Sequence, residues 1–453
     1  MNNRAACIAI DKQADAFIDL AYKIWQNPET GWNEHKAVDW TAALLRENGF
    51  AVDVGAYGVP TAIRAVWGSG KPVIGFCAEY DALPGLSQKL SADPDPVEQG
   101  APGHGCGHNL LGAGTVAAVV GLKAELEEKG LDGTVIFYGC PAEEVLLGKG
   151  YMAKGGAFAE CDVTLAWHPD TGNDLTLGVF TSVESGIVRF KGRTAHAAGN
   201  PQDGRSALDA AQLFCLGTEF LREHVTDDVR MHYIYTDGGL APNIVPDTAA
   251  VKFFVRAKTR EAVMDAFNRV IKCAEGASIM TETQYELERM GGVYPTLQNR
   301  VLVEHVHKVM CEMPRPEYTE EELAFCDAIN RHSPYYQQGV TQPIVTGEPK
   351  IAHFDVGGST DYGDVMHIVP SVMISEVCKA TLSGGHSWMV TACSGHSVGM
   401  KGMLLGGKVM AVAAAKLCED PSIVEAAKAE FAEVFKTRKA YECPITDEVK
   451  CPF

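Results

Sequence analysis

The segment PGHGCGHNLLGAG, residues 102–114, places a cysteine and a histidine two positions apart among glycines. In an extended or turning segment, side chains at i and i+2 can point to the same side, so Cys106 and His108 could bind one ion. Thiolate and imidazole both suit zinc and similar divalent metals. The glycines at 103, 105, 107 and 112 would let the backbone approach that ion. A flexible loop with a buried cysteine is an equal alternative for so short a motif.

Two more candidate groups follow apolar runs further along the chain. Glu143 and Glu144 come after TVIFYGC, and His168 comes after VTLAW. One carboxylate of the pair could bind a metal while the other acts as a general base. Taken alone, a solvated loop is the more common setting for adjacent glutamates, and a core histidine is the more common interpretation of His168.

The elements that would position these residues indicate an α/β fold. The runs PVIGFCAEY (72–80), TVIFYGC (134–140) and VTLAW (163–167) predict strands, and residues 110–129 predict an apolar helix between the first two. This alternation is typical of a mainly parallel sheet with helices on both faces. Ligands bind beyond the carboxyl ends of such strands, where Glu79 and Asp81 also lie. The convergence predicts a hydrolytic metal site with water in its open position.

Further histidines lie in glycine-rich surroundings. His386 in LSGGHSWMV and His396 in SGHSVGMKGM could each complete the metal shell. His196, in GRTAHAAGNP, could be a plain loop residue or a hydrogen-bond donor to the reacting group.

The chain changes pattern in its middle third. Helical patterns cover about 11–47, with a break at NPETGW, and a second helix is predicted over about 36–48. Residues 184–292 alternate as strands around two amphipathic helices, which predicts a compact α+β unit. We expect this unit to be an inserted domain between two parts of a catalytic domain, 1–183 and 293–453. The second part contains the strand-like HIVPSVMISEV (367–377) and a final helix over about 398–417.

Composition excludes several functions. The chain has 453 residues and a net charge of −19, so nucleic acid and anionic membranes would repel it. Its 14 cysteines form no CxxC pair, and its N-terminus does not resemble a signal peptide. No stretch approaches the roughly 20 apolar residues of a spanning helix. These features predict a cytoplasmic protein with reduced thiols.

Six motifs in order resemble one known family. CGHN, PAEE, WHP, GRTAHAAGNPQDGRSALDA, GGLAPNIVPD and GGHSW are similar to motifs of the metal-dependent aminoacylase and carboxypeptidase-G-type peptidases. The subgroup they resemble most is that of the aminobenzoyl-glutamate hydrolase B subunits and related dipeptidases. The resemblance runs from Glu79 to the last helix and implies a zinc-peptidase-type catalytic domain with an inserted lid and dimerisation domain. It also implies two divalent ions, zinc or manganese, in each subunit of a homodimer, with pairing to a homologous partner subunit as the alternative.

The resemblance implies roles for the candidate metal-site residues. Cys106 and His108 match paired ligands, with the cysteine bridging two metals. Glu143 matches the general base that takes a proton from the metal-activated water. The remaining ligands are implied to be Glu144, His168 and His386.

The resemblance also implies roles outside the ligand set. His196 matches a lid histidine that enters the partner subunit's site and stabilises the oxyanion. Asn243 matches a residue near the substrate, and Arg256 lies where some relatives hold a substrate carboxylate. Asp81 matches an acid that orients a metal ligand from behind.

Three positions bear on how far the resemblance extends. Asn109 stands where many relatives carry Asp, which favours the aminobenzoyl-glutamate subgroup. Met400 replaces a histidine before KGM, which removes one candidate substrate contact. His332, in NRHSPYYQQG, superficially matches the motif of the final ligand, but His386 precedes the last helix and is preferred.

The sequence therefore predicts hydrolysis of an amide bond in an N-acyl amino acid, an aminobenzoyl-glutamate-like conjugate or a dipeptide. Three alternatives remain: a metal carrier with a degenerate site, a cysteine-nucleophile hydrolase using Cys106, and a partner-dependent subunit of a two-chain hydrolase. A cysteine nucleophile fits poorly. Such a nucleophile usually needs a histidine base held by Asn or Asp, and the PAEE acids and His168 do not match that arrangement.

Overall fold

The chain begins with three helices followed by three strands, strands and helices then alternate from residue 73 to residue 170, and an α/β pattern returns after residue 293. The computed structural model describes residues 1, 3–353, 355 and 357–453. The helices are α1 (Ala5–Lys12), α2 (Ala14–Gln26), α3 (His35–Glu47), α4 (His108–Lys129), α5 (Gly148–Lys154), α6 (Ala207–Leu221), α7 (Arg260–Thr281), α8 (Arg300–Glu312), α9 (Glu320–Asn330), α10 (Tyr362–Met366), α11 (Trp388–Ser394), α12 (Ser397–Glu419) and α13 (Ser422–Val434). The strands are β1 (Ala51–Val54), β2 (Ile63–Ser69), β3 (Val73–Glu79), β4 (Gly133–Cys140), β5 (Val163–Asp170), β6 (Asp174–Thr176), β7 (Ser182–Lys191), β8 (Arg230–Asp237), β9 (Thr248–Ala257), β10 (Gln284–Val293), β11 (Lys350–Ala352) and β12 (Ser371–Val377).

The larger sheet has a parallel centre. Its strand order is β1-β2-β4-β3-β5-β12-β6-β11, and the four neighbours β4, β3, β5 and β12 run parallel. Helices α4 and α12 cover one face, while α5 and α10 lie against the other. Because both faces are covered, the central strands are apolar along nearly their whole length. The predicted α/β class is confirmed.

Four strands and two helices between β6 and α8 form a separate two-layer α+β unit. The antiparallel sheet has the order β10-β7-β9-β8, and α6 and α7 pack on it around Phe214, Phe253 and Phe267. We call residues 182–293 the inserted unit. Its first and last strands, β7 and β10, are neighbours in the sheet.

Two sequence predictions about helices differ from the structure. The helix predicted from about residue 11 to the break at NPETGW is present as α2, which begins at Ala14 after a separate helix, α1, ends at Lys12. Helices α4 and α12 are long and apolar enough to span a membrane by length and composition, although no such stretch was predicted. They are core helices here, since 89% and 83% of their most apolar windows are buried. The two helices pack against each other beneath the sheet.

Candidate metal centre and active site

The chemically active side chains meet where the central parallel strands end. The thiol of Cys106 lies in the loop before α4, and His168 lies near the end of β5. The Cys106 Sγ is 3.3 Å from His168 Nε2, and His168 Nδ1 is 2.9 Å from the carbonyl oxygen of Pro169. The second contact fixes the ring, so Nε2 faces the thiol.

His108 is the first residue of α4 and is fully buried. Its Nδ1 lies 2.9 Å from Asp81 Oδ1, beyond the end of β3. Its Nε2 lies 3.3 Å from Glu79 Oε2 and has no hydrogen-bond partner among the described residues. A buried imidazole nitrogen without a hydrogen bond is costly unless it has another ligand. The other ring nitrogen already contacts a carboxylate, which is the usual arrangement for a metal-binding histidine.

Glu143 and Glu144 lie in a tight turn that follows β4. The turn covers Glu143–Val145 and is flanked by Ala142 and Leu146, both left-handed with φ of 55° and 60°. Such a conformation costs roughly 1–2 kcal/mol for each non-glycine residue. The backbone amide of Ala142 donates to Glu34 (2.7 Å) and that of Glu144 donates to Asp81 Oδ2 (2.9 Å). These bonds hold a strained turn that aims two carboxylates into the site.

The last candidate ligand comes from a distant part of the chain. His386 is left-handed (φ 52°), and its side chain is 60% exposed. Its Nε2 lies 3.4 Å from Glu144 Oε2. His386 therefore closes the open side of the site, while His108 forms its floor.

The donor atoms form three overlapping groups: Cys106 with His108 and His168, Cys106 with Glu144 and His386, and Glu79 with His108 and Glu143. Within each group the donor atoms lie within 4.8 Å of one another. A mixture of sulfur, nitrogen and carboxylate oxygen suits zinc and also permits manganese. Among the described residues, the buried atoms His108 Nε2 and Glu144 Oε1 have no hydrogen-bond partner, so each is free to bind a metal ion.

Burial and crowding shift the pKa values of the acids and of His168. Burial, together with Glu79, Asp361 and Glu144, raises the pKa of Glu143 well above its ordinary value. Burial also raises the pKa of Glu144 to about 7. Burial, together with a proton on His108, lowers the pKa of His168 to about 4. A neutral imidazole is the form that binds metal, and a carboxylate with a raised pKa is the form that accepts a proton near neutrality.

A cavity of about 880 Å³ opens in front of these groups. Glu79, Cys106, Glu143, Glu144 and His168 line one side. The inserted unit supplies the other side with basic and aromatic residues of β8, β9 and the segment after β9: Arg230, His232, Phe254, Arg256 and Lys258. The Arg256 guanidinium also donates to the Ser359 hydroxyl (2.7 Å), so its position is fixed across the cavity.

His196 and Asn243 lie next to each other and outside this cavity. His196 pairs with Ile244 in a short β-bridge, and the amide of Ala197 donates to the Asn243 carbonyl oxygen (3.0 Å). Neither residue is among the described residues that line the cavity of the same chain. The exposed His196 ring accepts two backbone hydrogen bonds at Nδ1, from Ala198 and Gly199. The ring proton is therefore on Nε2, where it can be donated.

Other residues considered from sequence have structural roles. His396 caps the N-terminus of α12 and stacks on Phe325, so it does not complete the metal shell. His332 pairs with Asp93 on the surface. Asn109 donates to two backbone carbonyl groups in the core.

The glycines around Cys106 were expected to let the backbone approach an ion, but in the structure they allow close packing of protein segments. A Cβ at Gly103 would lie 1.9 Å from the Leu86 carbonyl oxygen, and one at Gly112 would lie 2.8 Å from that of Glu79. The glycines let the loop and α4 approach neighbouring backbone, which brings His108 under the end of β3.

Three charged residues for which the sequence predicted no role lie below the centre. Lys149 in α5 is buried between Glu79 and Asp361, and its ammonium donates to both carboxylates. The sequence did predict that Glu79, in the strand end EYD, lies at the carboxyl edge of the sheet. Lys149 and Asp361 are 212 positions apart, and neither lies in a motif that indicates contact.

Comparison with known proteins identifies the family. A model of the peptidase family M20/M25/M40 matches residues 75–386, which is more than half of the chain. The chain belongs to this family. It is a metal-dependent amidohydrolase or peptidase, as the resemblance implied.

The chain is similar to several named hydrolases. It is 37% identical to the B subunit of p-aminobenzoyl-glutamate hydrolase of Escherichia coli K12, with 97% of each chain covered. It is 28% identical to a mouse Xaa-Arg dipeptidase, with 94% of this chain and 91% of the relative covered. The A subunit of the E. coli hydrolase is 29% identical over 56% of this chain and 57% of its own length.

A solved structure supports the fold. A Bacillus subtilis protein described as a dinuclear metal-binding peptidase of the M20 family superposes with a TM-score of 0.58 at 17% identity. The match covers 90% of this chain and 99% of that protein. The two proteins therefore share the fold, in which an α/β sheet is combined with an additional α+β unit.

Proposed function

We propose that the protein hydrolyses the amide bond of an N-acyl amino acid, an aminobenzoyl-glutamate-like conjugate or a dipeptide. The observation that carries this proposal is the convergence of donor groups from separate strands on the buried His108 Nε2, which has no hydrogen-bond partner among the described residues. The names of the similar E. coli and mouse hydrolases support the choice of an amide substrate.

Five side chains would hold two divalent ions, zinc or manganese: Cys106, His108, Glu144, His168 and His386. When bound, such ions lower the pKa of water and polarise a carbonyl oxygen. Asp81 would act from behind, because its contact with His108 Nδ1 fixes the ring with Nε2 toward the centre.

Glu143 would act as the general base. Its Oε2 lies 4.0 Å from His108 Nε2 at the edge of the donor group, and its raised pKa lets the carboxylate accept a proton from the attacking water. The same oxygen would then return the proton to the leaving amine nitrogen. Burial of Glu143 limits the loss of this proton to solvent.

The inserted unit would bind the rest of the substrate. Arg256 faces the acids across the cavity, so it would pair with a substrate carboxylate. His196 and Asn243 would act in the site of a partner subunit, where the Nε2 proton of His196 could bind the oxyanion. Their positions outside their own cavity support action in trans.

This arrangement requires an assembly, which we propose is a homodimer. The division 1–183, 184–292 and 293–453 then separates a catalytic domain from an inserted lid and dimerisation domain. Strand β8 is the edge of the inserted sheet, and the apolar side chains Leu216, Phe220, Ile234 and Leu240 are exposed nearby. Exposed apolar residues beside a sheet edge favour pairing with another chain. The 14 free thiols suit a cytoplasmic location.

A second candidate is a chain that needs a homologous partner for activity. The similar E. coli protein is named as the B subunit of its hydrolase, and this chain also resembles the A subunit of that hydrolase. Both similarities favour this candidate. In this case, the partner chain would supply the equivalent of His196.

One experiment tests these proposals. The chain is purified alone, stripped with a chelator, reloaded with Zn²⁺ or Mn²⁺, and assayed on N-acyl amino acids, p-aminobenzoyl-glutamate and dipeptides that end in arginine. We expect no turnover without metal and restored turnover with it. Activity that survives complete metal removal would favour a thiol nucleophile, and tight metal binding without turnover would favour a carrier. Activity that appears only after a homologous chain is added would favour the partner-dependent candidate.

A further inference from the structure

Lys149 is a fully buried cation directly below the metal centre. Its ammonium donates to Glu79 Oε1 (2.6 Å) and to Asp361 Oδ1, and its backbone amide donates to Asp361 Oδ2 (2.8 Å). An ammonium without a partner at this depth would strongly destabilise the fold, so the two carboxylates define where Lys149 can lie.

Glu79 connects this cation to the centre. One carboxylate oxygen accepts the bond from Lys149, and the other lies 3.3 Å from His108 Nε2. His108 Nε2 is the buried nitrogen that lacks a hydrogen-bond partner among the described residues. The second oxygen of Glu79 therefore faces the position where a ligand of His108 would lie.

Negative charge surrounds the same position. Glu79, Glu143 and Asp361 are all buried, and Glu143 shares a donor group with Glu79 and His108. Like charges at this depth repel one another and favour conformations that turn the carboxylates apart. The bonds from Lys149 to Glu79 and Asp361 oppose that repulsion and keep Glu79 in one orientation.

We propose that Glu79 is a further carboxylate of the metal centre and that Lys149 and Asp361 are positioning residues that act through it. Lys149 holds Oε1, which leaves Oε2 aimed at the centre, and Asp361 holds Lys149. The inference rests on the proposed assignment of His108 as a metal ligand.

The test uses the full chain and Mn²⁺ titration by calorimetry. Glu79→Gln keeps the volume and an acceptor for Lys149 but removes the negative charge. We expect the Mn²⁺ affinity and kcat to fall by about 10- to 100-fold, with KM changed by less than about twofold. Asp361→Asn changes both quantities in the same direction and by less, because it acts through Lys149.

The matched control is Glu376→Gln. Glu376 is also fully buried and paired with a cation, Arg315 (2.9 Å), but it does not line the cavity. We expect this variant to lower Tm without changing Mn²⁺ affinity or kcat.

Wild-type Mn²⁺ affinity and kcat in Glu79→Gln, with only a lower Tm, would show that the network is structural and would overturn the inference. If Glu79→Gln does not fold, Asp361→Asn is judged by the same criterion. His108→Ala distinguishes failure of the metal-centre assignment from failure of the role proposed for Glu79. Retained Mn²⁺ affinity in His108→Ala overturns the metal-centre assignment itself. Lost affinity there, with normal affinity in Glu79→Gln, overturns only the role of Glu79.

Discussion

The edge of the parallel sheet and the loop of the inserted unit that carries His196 differ in how fully neighbouring residues orient the proposed functional side chains. At the sheet edge, each proposed ligand but His386 is at least half-buried, and neighbouring groups orient His108 and His168. At the inserted unit, the His196 ring is exposed and accepts hydrogen bonds from its own loop, and its backbone pairs with Ile244. The side chains of the first region are preorganised within one chain. In the second region, the hydrogen-bond donor of His196 lies outside the cavity of its own chain. Preorganised donors that lower a barrier must lie where charge develops, so the proposed role of His196 needs the site of a second subunit.

The largest expected effect is at the preorganised edge. Glu143→Gln removes the proposed base and keeps the side-chain volume, so kcat should fall by about 10²- to 10⁴-fold with metal content unchanged. Steady-state kinetics and metal analysis on the same samples check this result. The neighbouring Glu144→Gln is the comparison, because it should lose metal as well as activity. Near-wild-type turnover in Glu143→Gln would remove Glu143 from the base role.

The next effect tests the exposed region. His196→Ala should lower kcat by about 10²- to 10³-fold, the usual cost of one oxyanion donor. If His196 acts across a dimer, mixed inactive His196→Ala and Glu143→Gln chains should regain activity in roughly a quarter of the sites, as expected for random pairing in a two-fold dimer. Subunit exchange is verified first with two tagged forms of the chain. Exchange without any recovery of activity would argue for action within one chain.

A smaller effect is expected for Arg256, which lines the cavity from the inserted unit. Arg256→Gln should raise KM about tenfold or more for substrates with a free carboxylate, because it removes a charged hydrogen bond. The same substrate with its carboxylate converted to an amide is the control and should show little change. Equal effects on both substrates would indicate that Arg256 supports the cavity through Ser359 rather than binding substrate.

The smallest effect concerns stability away from the centre. Burial raises the pKa of Asp364, in α10, to about 8, above the value of about 4 in an unfolded chain. The protonated acid is therefore favoured by folding, and the stability it provides below pH 4 is lost progressively as the pH rises toward 8. Asp364→Asn should flatten this dependence and be more stable than wild type at pH 8 by about 1 kcal/mol. Thermal unfolding at pH 5 and pH 8 measures the difference, and parallel slopes for the two proteins would contradict it.

Local patterns predicted most of the edge of the sheet. Residues such as Glu143 and His168 directly follow apolar runs, and strand ends in a parallel sheet converge, so their proximity follows from topology alone. Lys149 and Asp361 could not be predicted in this way. Their contact joins segments 212 positions apart, and a single lysine after a glycine is usually a surface residue.

The break between α1 and α2 has a similar explanation. Gln13 interrupts the helix without any glycine or proline in the sequence, and α1 and α2 both pack against α4. The apolar face predicts that helix is present, whereas its boundaries depend on tertiary packing that the local pattern does not carry. His396 illustrates the opposite case, since a histidine in a glycine-rich segment can equally cap a helix.

The adjacency of β7 and β10 has a consequence for the order in which the chain can fold. The inserted unit is built from one continuous segment, so all its strand partners are present once residue 293 has been synthesised. The parallel sheet must wait longer, because β5 pairs with β12 some 200 positions later. The proposed metal centre is completed later still, once His386 has been synthesised. During synthesis, the surface proposed for partner contact can therefore exist before the chemistry that it would serve.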